Sequence, residues 1–248
     1  MRITDKHCDI AYKNHYIMPS LKHLHDITTL DASGNMLKLT VQDIKNLPPN
    51  IENLILNNNS ISTLINCIHF PPTLKGLSII GNNIPILDGT LLYYIEVLDM
   101  SRCRVNRVVN FPPIIKELNL ADNLLYVIPS LPITLIDLNI SSNLINTFPT
   151  INHRMCNLDI SYNKLQRYPQ NEVTKTIGKL NLTGNTCCTT DIYESDRYPS
   201  TSCTGGYTYN NTYGYNNSHY SSDHLYKTSY RKTGTCLNDL SERKHFVL

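Results

Sequence analysis

The chain has 248 residues, 41% hydrophobic and 17% charged, with a formal net charge of +2. The low charged fraction argues against a disordered polyelectrolyte, and so small an excess of Lys and Arg, unclustered, leaves no electrostatic footprint for nucleic acid. No run of about 18 apolar residues occurs, so no spanning helix is expected; the opening MRITDKHCDIAYKNHY has no apolar core, so no cleaved secretory signal is expected either.

Residues 1–26 precede a repeat and are predicted to cap it. Ile17, Leu21 and Leu24 can cover a first hydrophobic row, and Leu21-x-x-Leu24 reads as a degenerate copy. His7, Cys8, His15, His23 and His25 match no established ligand spacing, so they are expected to be ordinary cap or surface residues, with no metal and no cofactor.

From Ile27 one register governs the chain. Ile27-x-x-Leu30-x-Ala32-x-x-Asn35-x-Leu37 recurs from Ile51, Leu74, Ile95, Ile115, Leu135, Met155 and Ile177, at spacings of 24, 23, 21, 20, 20, 20 and 22 residues. The fourth position is Leu in all eight copies. The ninth is Asn35, Asn59, Asn82, Cys103, Asn123, Asn143, Asn163 and Asn185. Around the fourth position the pattern alternates with period two, as in a strand with one buried face. Such short strands are stable only when stacked, so that the Leu rows fill one interior. The Asn side chain has donors and an acceptor to satisfy the backbone of an inward turn, and Cys103 is expected to fill the same slot.

Proline punctuates the returns: Pro48-Pro49, Pro71-Pro72, Pro112-Pro113 and Pro132 precede copies, and Pro129, Pro149 and Pro169 follow them. Proline removes a donor and disfavours helix in the preceding residue. Extended returns are therefore predicted in place of helices of several turns. The stack should be a gently curved horseshoe, its eight strands spanning roughly 34 Å at ~4.8 Å per step.

These copies carry the L-x-x-L-x-L-x-x-N/C-x-L signature, and residues 27–188 resemble leucine-rich repeat proteins. The short period and the motifs Leu47-Pro48-Pro49, Phe70-Pro71-Pro72 and Phe111-Pro112-Pro113 are similar to the short repeats of bacterial effectors and large DNA viruses. The resemblance implies a mostly β, α/β-type repeat solenoid with a parallel concave sheet. Its implied role is a noncatalytic scaffold for protein partners. A structural component of a large virus particle is the alternative.

On the concave face most predicted outward positions are small and polar. Ile55, Ile80 and Val97 are apolar exceptions, and with Asn57, Asp99, Arg102 and Arg104 they form the candidate protein-binding patch. No nucleophile–base motif, HExxH pair or phosphate-binding glycine loop occurs, so no catalytic residue is assigned.

Residues 189–248 hold nine of the sixteen Tyr residues and the segment GGYTYNNTYGYNNSHYSS. They are predicted to form a flexible low-complexity tail with a capacity for self-association. Cys187, Cys188, Cys203 and Cys236 loosely resemble the disulfide-bonded cap of extracellular repeats, which makes a bonded cap one reading and free thiols the other. Without a secretory signal the expected location is cytoplasm, a host cytoplasm or a virion.

Overall fold

A computed structural model describes residues 1–167, 169 and 171–186. The Tyr-rich segment and Cys187, Cys188, Cys203 and Cys236 lie outside the described residues.

The strands are β1 Arg2–Thr4, β2 His7–Asp9, β3 Thr29–Asp31, β4 Asn53–Ile55, β5 Gly76–Ser78, β6 Ile86–Asp88, β7 Val97–Asp99, β8 Arg107–Asn110, β9 Glu117–Asn119, β10 Asp137–Asn139, β11 Met155–Asp159 and β12 Ile177–Asn181. One sheet runs β1-β2-β3-β4-β5-β7-β9-β10-β11-β12. Every neighbouring pair in it is parallel except the β1–β2 hairpin. Its register places leucine on leucine from coil to coil: Leu30 on Leu54, Leu54 on Leu77, Leu118 on Leu138, Leu158 on Leu180. The first, fourth, sixth and eleventh positions of the first seven coils then fill a single continuous core, against which Leu180 and Leu182 of the eighth pack half-buried. Each fully buried Leu in it contributes about 1.5–3 kcal/mol of transfer free energy. The predicted mostly β solenoid with a parallel concave sheet is the architecture observed.

The stack begins one strand earlier than the leucine pattern. β2 pairs with β3 with Cys8 opposite Leu30, so Cys8, fully buried, takes the leucine slot of an added coil. Leu21-x-x-Leu24 is not that coil's strand. It lies in the return, where Leu21 is buried and Leu24 packs against the core. The hairpin strand β1 covers the open edge of β2.

The returns also depart from a uniformly extended path. Helix α1 spans Val41–Lys45, single 3-10 turns span Ile65–His69 and Gly89–Leu91, and α2 spans Asn171–Thr174. The first three sit in the coils of 24, 23 and 21 residues, whose extra length supplies the turn. Each of the first two ends before its Pro-Pro pair, as the missing proline donor requires. Thr40 and Asp43 form a reciprocal capping box at the start of α1. The second oxygen of the fully buried Asp43 accepts from the Met18 backbone N–H at 2.7 Å, tying this helix to the amino-terminal cap. The 20-residue coils that start at Ile115 and Leu135 have extended returns. On the convex side β6 and β8 pair as a separate two-stranded sheet. Among the described residues no helix is long and apolar enough to cross a membrane.

Candidate protein-binding face

The turn after each strand fixes the concave face. Asn143 shows the scheme: its amide donates to the carbonyls of Leu120 at 2.9 Å and Ile140 at 3.1 Å, and its Oδ1 accepts from the Leu125 N–H at 3.0 Å. Asn59, Asn82, Asn123, Asn163 and Asn185 repeat it between their own coils. Asn35 binds the Ile10 carbonyl and the His15 N–H, extending the ladder into the added coil. These side chains satisfy backbone groups that water does not reach, which is why the ladder is structural.

Cys103 does occupy the slot, with a different division of labour. Its Sγ donates to the Ile79 carbonyl at 3.0 Å. It has no amide oxygen, so its own backbone carbonyl accepts from the Ile84 N–H at 2.9 Å. The next residue, Arg104, is left-handed, with φ of 59°. The added coil, with Lys13 in the same slot, has left-handed Asn14 next to it, with φ of 57°. Burial pushes the Cys103 thiol up to about 11, which removes it as a thiolate nucleophile near neutral pH.

The residue before the ladder is left-handed in all eight coils: Gly34, Asn58, Gly81, Arg102, Asp122, Ser142, Tyr162 and Gly184. Glycine, Asn and Asp take this region at low cost; Arg and Tyr do not. At Gly34 a Cβ would sit 2.3 Å from the Tyr12 ring, and at Gly184 one would sit 2.6 Å from the Tyr162 ring. Each tyrosine thus lies over the glycine of the following coil. Arg102 and Asp122 fill two neighbouring positions of this row and form an exposed ion pair at 3.3 Å.

On the sheet face the candidate residues fall on different rungs. Ile55 pairs across the sheet with Asp31 and Ser78, and Val97 with Gly76 and Glu117. Ile80 lies just past the end of β5. The three apolar side chains are all half-buried and are interleaved with Asn57, Gly76 and Ser78. Asn57 is engaged internally: its Oδ1 accepts from Ser78 Oγ at 2.7 Å and from the Ile80 N–H at 2.8 Å. Asp99 accepts from the Ser101 N–H and from the Asn119 amide, each at 2.9 Å. Burial nonetheless raises its carboxyl above the usual range. Arg102 and Arg104 are exposed at the rim beyond the strands, so the structure does not bring them onto the sheet face.

A row of two-residue turns covers much of the rest. Asp31, Asp99, Asn119, Asn139, Asp159 and Asn181 each accept from the backbone N–H two residues on. This is the local bonding that Asp and Asn favour. The concave face is thus held rigid by its own side chains.

The sequence reading missed an apolar area on the other side. Ile65, Ile68 and Tyr93 are each about 60% exposed, and Tyr94 about 40%. Ile68 and the two tyrosines border a depression of about 180 Å³ together with Cys67, Phe70 and Leu91. Tyr93 and Tyr94 meet edge to face at 5.1 Å, and Lys75 Nζ stands 5.5 Å from the Tyr94 ring centre. These residues belong to irregular returns that share no period, so no repeat signal marks them.

No protein-family model matches the chain, and no curated protein does. Solved structures do. The TLR13–ssRNA13 complex matches with a TM-score of 0.55 and 18% identity over 73% of this chain and 28% of that one. The leucine-rich repeat domain of APL1B matches at 0.53 and 17%, over 73% of this chain and 64% of that one. The Drosophila Toll–Spatzle complex matches at 0.52 and 18%, over 69% and 29%. The chain therefore spans less than two thirds of each of these relatives. At such identities the likeness is one of backbone architecture, and it agrees with the register, the buried leucine rows and the asparagine ladder: the chain has the leucine-rich repeat fold.

Proposed function

We propose that the protein is a noncatalytic scaffold that holds a protein partner on its concave face, centred on the coils bearing Ile55, Ile80, Val97 and Asp99. The observation that carries this reading is the continuous open sheet, whose outward side chains are immobilised by their own turn bonds. A preorganised surface loses little conformational entropy on binding. The structural relatives support an interaction scaffold in general, since the Toll structure is of a complex with Spatzle.

The test is retention of partners from the native source by the full chain and by an Ile55→Lys/Ile80→Lys variant. Lysine is preferred to aspartate because Ile55 faces Asp31 across the sheet, where a second carboxylate would repel it. The variant is expected to melt within a few degrees of the parent and to lose the retained protein. Equal retention at equal stability would remove the concave face as the site. A chain ending at residue 186 should retain the partner; loss there would favour an assembly role for the carboxy-terminal segment.

A further inference from the structure

The hairpin at the amino-terminal end moves the open edge of the sheet outward without closing it. β1 pairs with β2, and among the described residues no strand lies on its other side. All three residues of β1 are exposed. The strand has no proline, and its register with β2 is unbroken by a bulge, two of the devices that commonly protect an edge.

The alternation of the hairpin fixes which groups this edge offers. Thr4 and His7 flank a two-residue turn and form a hydrogen-bonded pair, as Arg2 and Asp9 do two rungs on. Ile3 and Cys8 are the intervening pair, whose backbone groups do not bond each other. The N–H and C=O of Ile3 therefore point away from β2, toward the open side. The other edge of β2 agrees with this alternation, since the Lys6 carbonyl and the Ile10 N–H bond to residues of the next coil. The Ile3 side chain lies opposite Cys8 and shares its core-facing side. Along that row Cys8, Leu30, Leu54 and Leu77 are wholly buried, whereas Ile3 is 45% exposed. The return of the same terminal coil leaves Tyr16 and Ile17 about 70% and 60% exposed, so Ile17 does not cover the first row as expected.

We propose that two copies of the chain join edge to edge through β1, antiparallel about a two-fold axis at Ile3. Such a contact must be self-complementary, and this edge is. The Ile3 N–H of each copy donates to the Ile3 carbonyl of the other, and the two side chains carry the core row across the axis. Arg2 comes opposite Thr4 of the second copy and next to its Asp5, so no like charges are opposed. The two ten-stranded sheets become one. A three-residue edge with its neighbouring return is a small interface, so the dimer is reversible and forms as concentration rises.

Sedimentation velocity of the full chain across a concentration series tests this. A dimer is expected at about 100 µM and a monomer at about 1 µM, as a small interface supports. A monomer throughout would overturn the proposal. Ile3→Pro removes the outward N–H and leaves the bonds between β1 and β2 in place. Ile3→Lys sets a charge at the end of the core row. Each variant should raise the concentration of half-dimerisation at least tenfold while melting within a few degrees of the dilute parent. Dimerisation of either folded variant as readily as the parent would place the contact elsewhere in the chain and overturn the proposal.

Discussion

The coils starting at Ile115 and Leu135 and those starting at Ile27 and Ile51 share one core and differ on the outside. The first pair, of 20 residues each, return to the next strand without a helix. The second pair, of 24 and 23 residues, add a one-turn helix to the same path and still present Leu30 and Leu54 in register. The strand and its asparagine turn therefore determine the stack, and the return absorbs variation. Apolar exposure belongs to the returns of both kinds: Ile65, Ile68, Tyr93 and Tyr94 in the irregular ones, and Tyr126, Val127 and Ile133 in the regular one, while the sheet face stays polar with isolated apolar positions.

The largest effects should come from the core and should be alike in both regions. Leu54→Ala and Leu138→Ala each remove a buried side chain from the shared row and are expected to cost about 2–5 kcal/mol. In denaturant melts followed by circular dichroism, both should lower one common transition. Two separable transitions would show that the irregular and regular coils are independent units.

The ladder should distinguish the coils more sharply. Asn143→Ala orphans the Leu125 N–H and takes one of two amide donors from each of the Leu120 and Ile140 carbonyls, which keep Asn123 and Asn163, and is expected to cost about 2–3 kcal/mol. Cys103→Ala loses only one S–H donor, because the backbone carbonyl carries the other contact, and should cost about 1 kcal/mol. Equal costs in the same melts would refute the proposed division of labour at Cys103.

Smaller effects belong to the left-handed row. Gly34→Ala must accept both a positive φ and contact with the Tyr12 ring, and is expected to cost about 1–2 kcal/mol. Arg104→Gly relieves a positive φ and should stabilise by a few tenths of a kcal/mol to about 1 kcal/mol. A destabilised Arg104→Gly would mean that the side chain holds the turn.

The smallest effect is a pH dependence. The folded carboxyl of Asp99 is raised, so the folded state binds its proton more tightly than the unfolded chain does. The resulting penalty is present above the folded pKa and is relieved as pH falls through it. Relative to Asp99→Asn, the parent should gain stability on going from pH 7 toward pH 4. A difference in melting temperature that does not change with pH would contradict the burial of this carboxyl.

The sequence exposed the parts of the fold that repeat. Leu in the fourth position and Asn in the ninth recur because every coil needs the same core row and the same backbone partners. The added coil escaped that reading because Cys8 and Lys13 stand where Leu and Asn would be, and only strand pairing reveals it. The left-handed row was partly legible in Gly34, Gly81 and Gly184, but Arg102, Ser142 and Tyr162 give no such signal. Helix α1 had a local signature, Thr40-x-x-Asp43, obscured by the prolines that follow it. At the candidate site, the outward positions of Ile55, Ile80 and Val97 could be read from alternation. Their separation by Gly76 and Ser78 depends on cross-strand register, which one coil alone does not encode.

The most direct test of the stack is to remove one whole coil, residues 115–134, joining Ile114 to Leu135. Leu135 then takes the place of Ile115, and β10 can pair with β7 in the same register. The shortened chain is expected to keep its far-ultraviolet circular dichroism shape and melt cooperatively at a somewhat lower temperature. An unfolded product, with no thermal transition, would contradict a core built by coil-on-coil stacking.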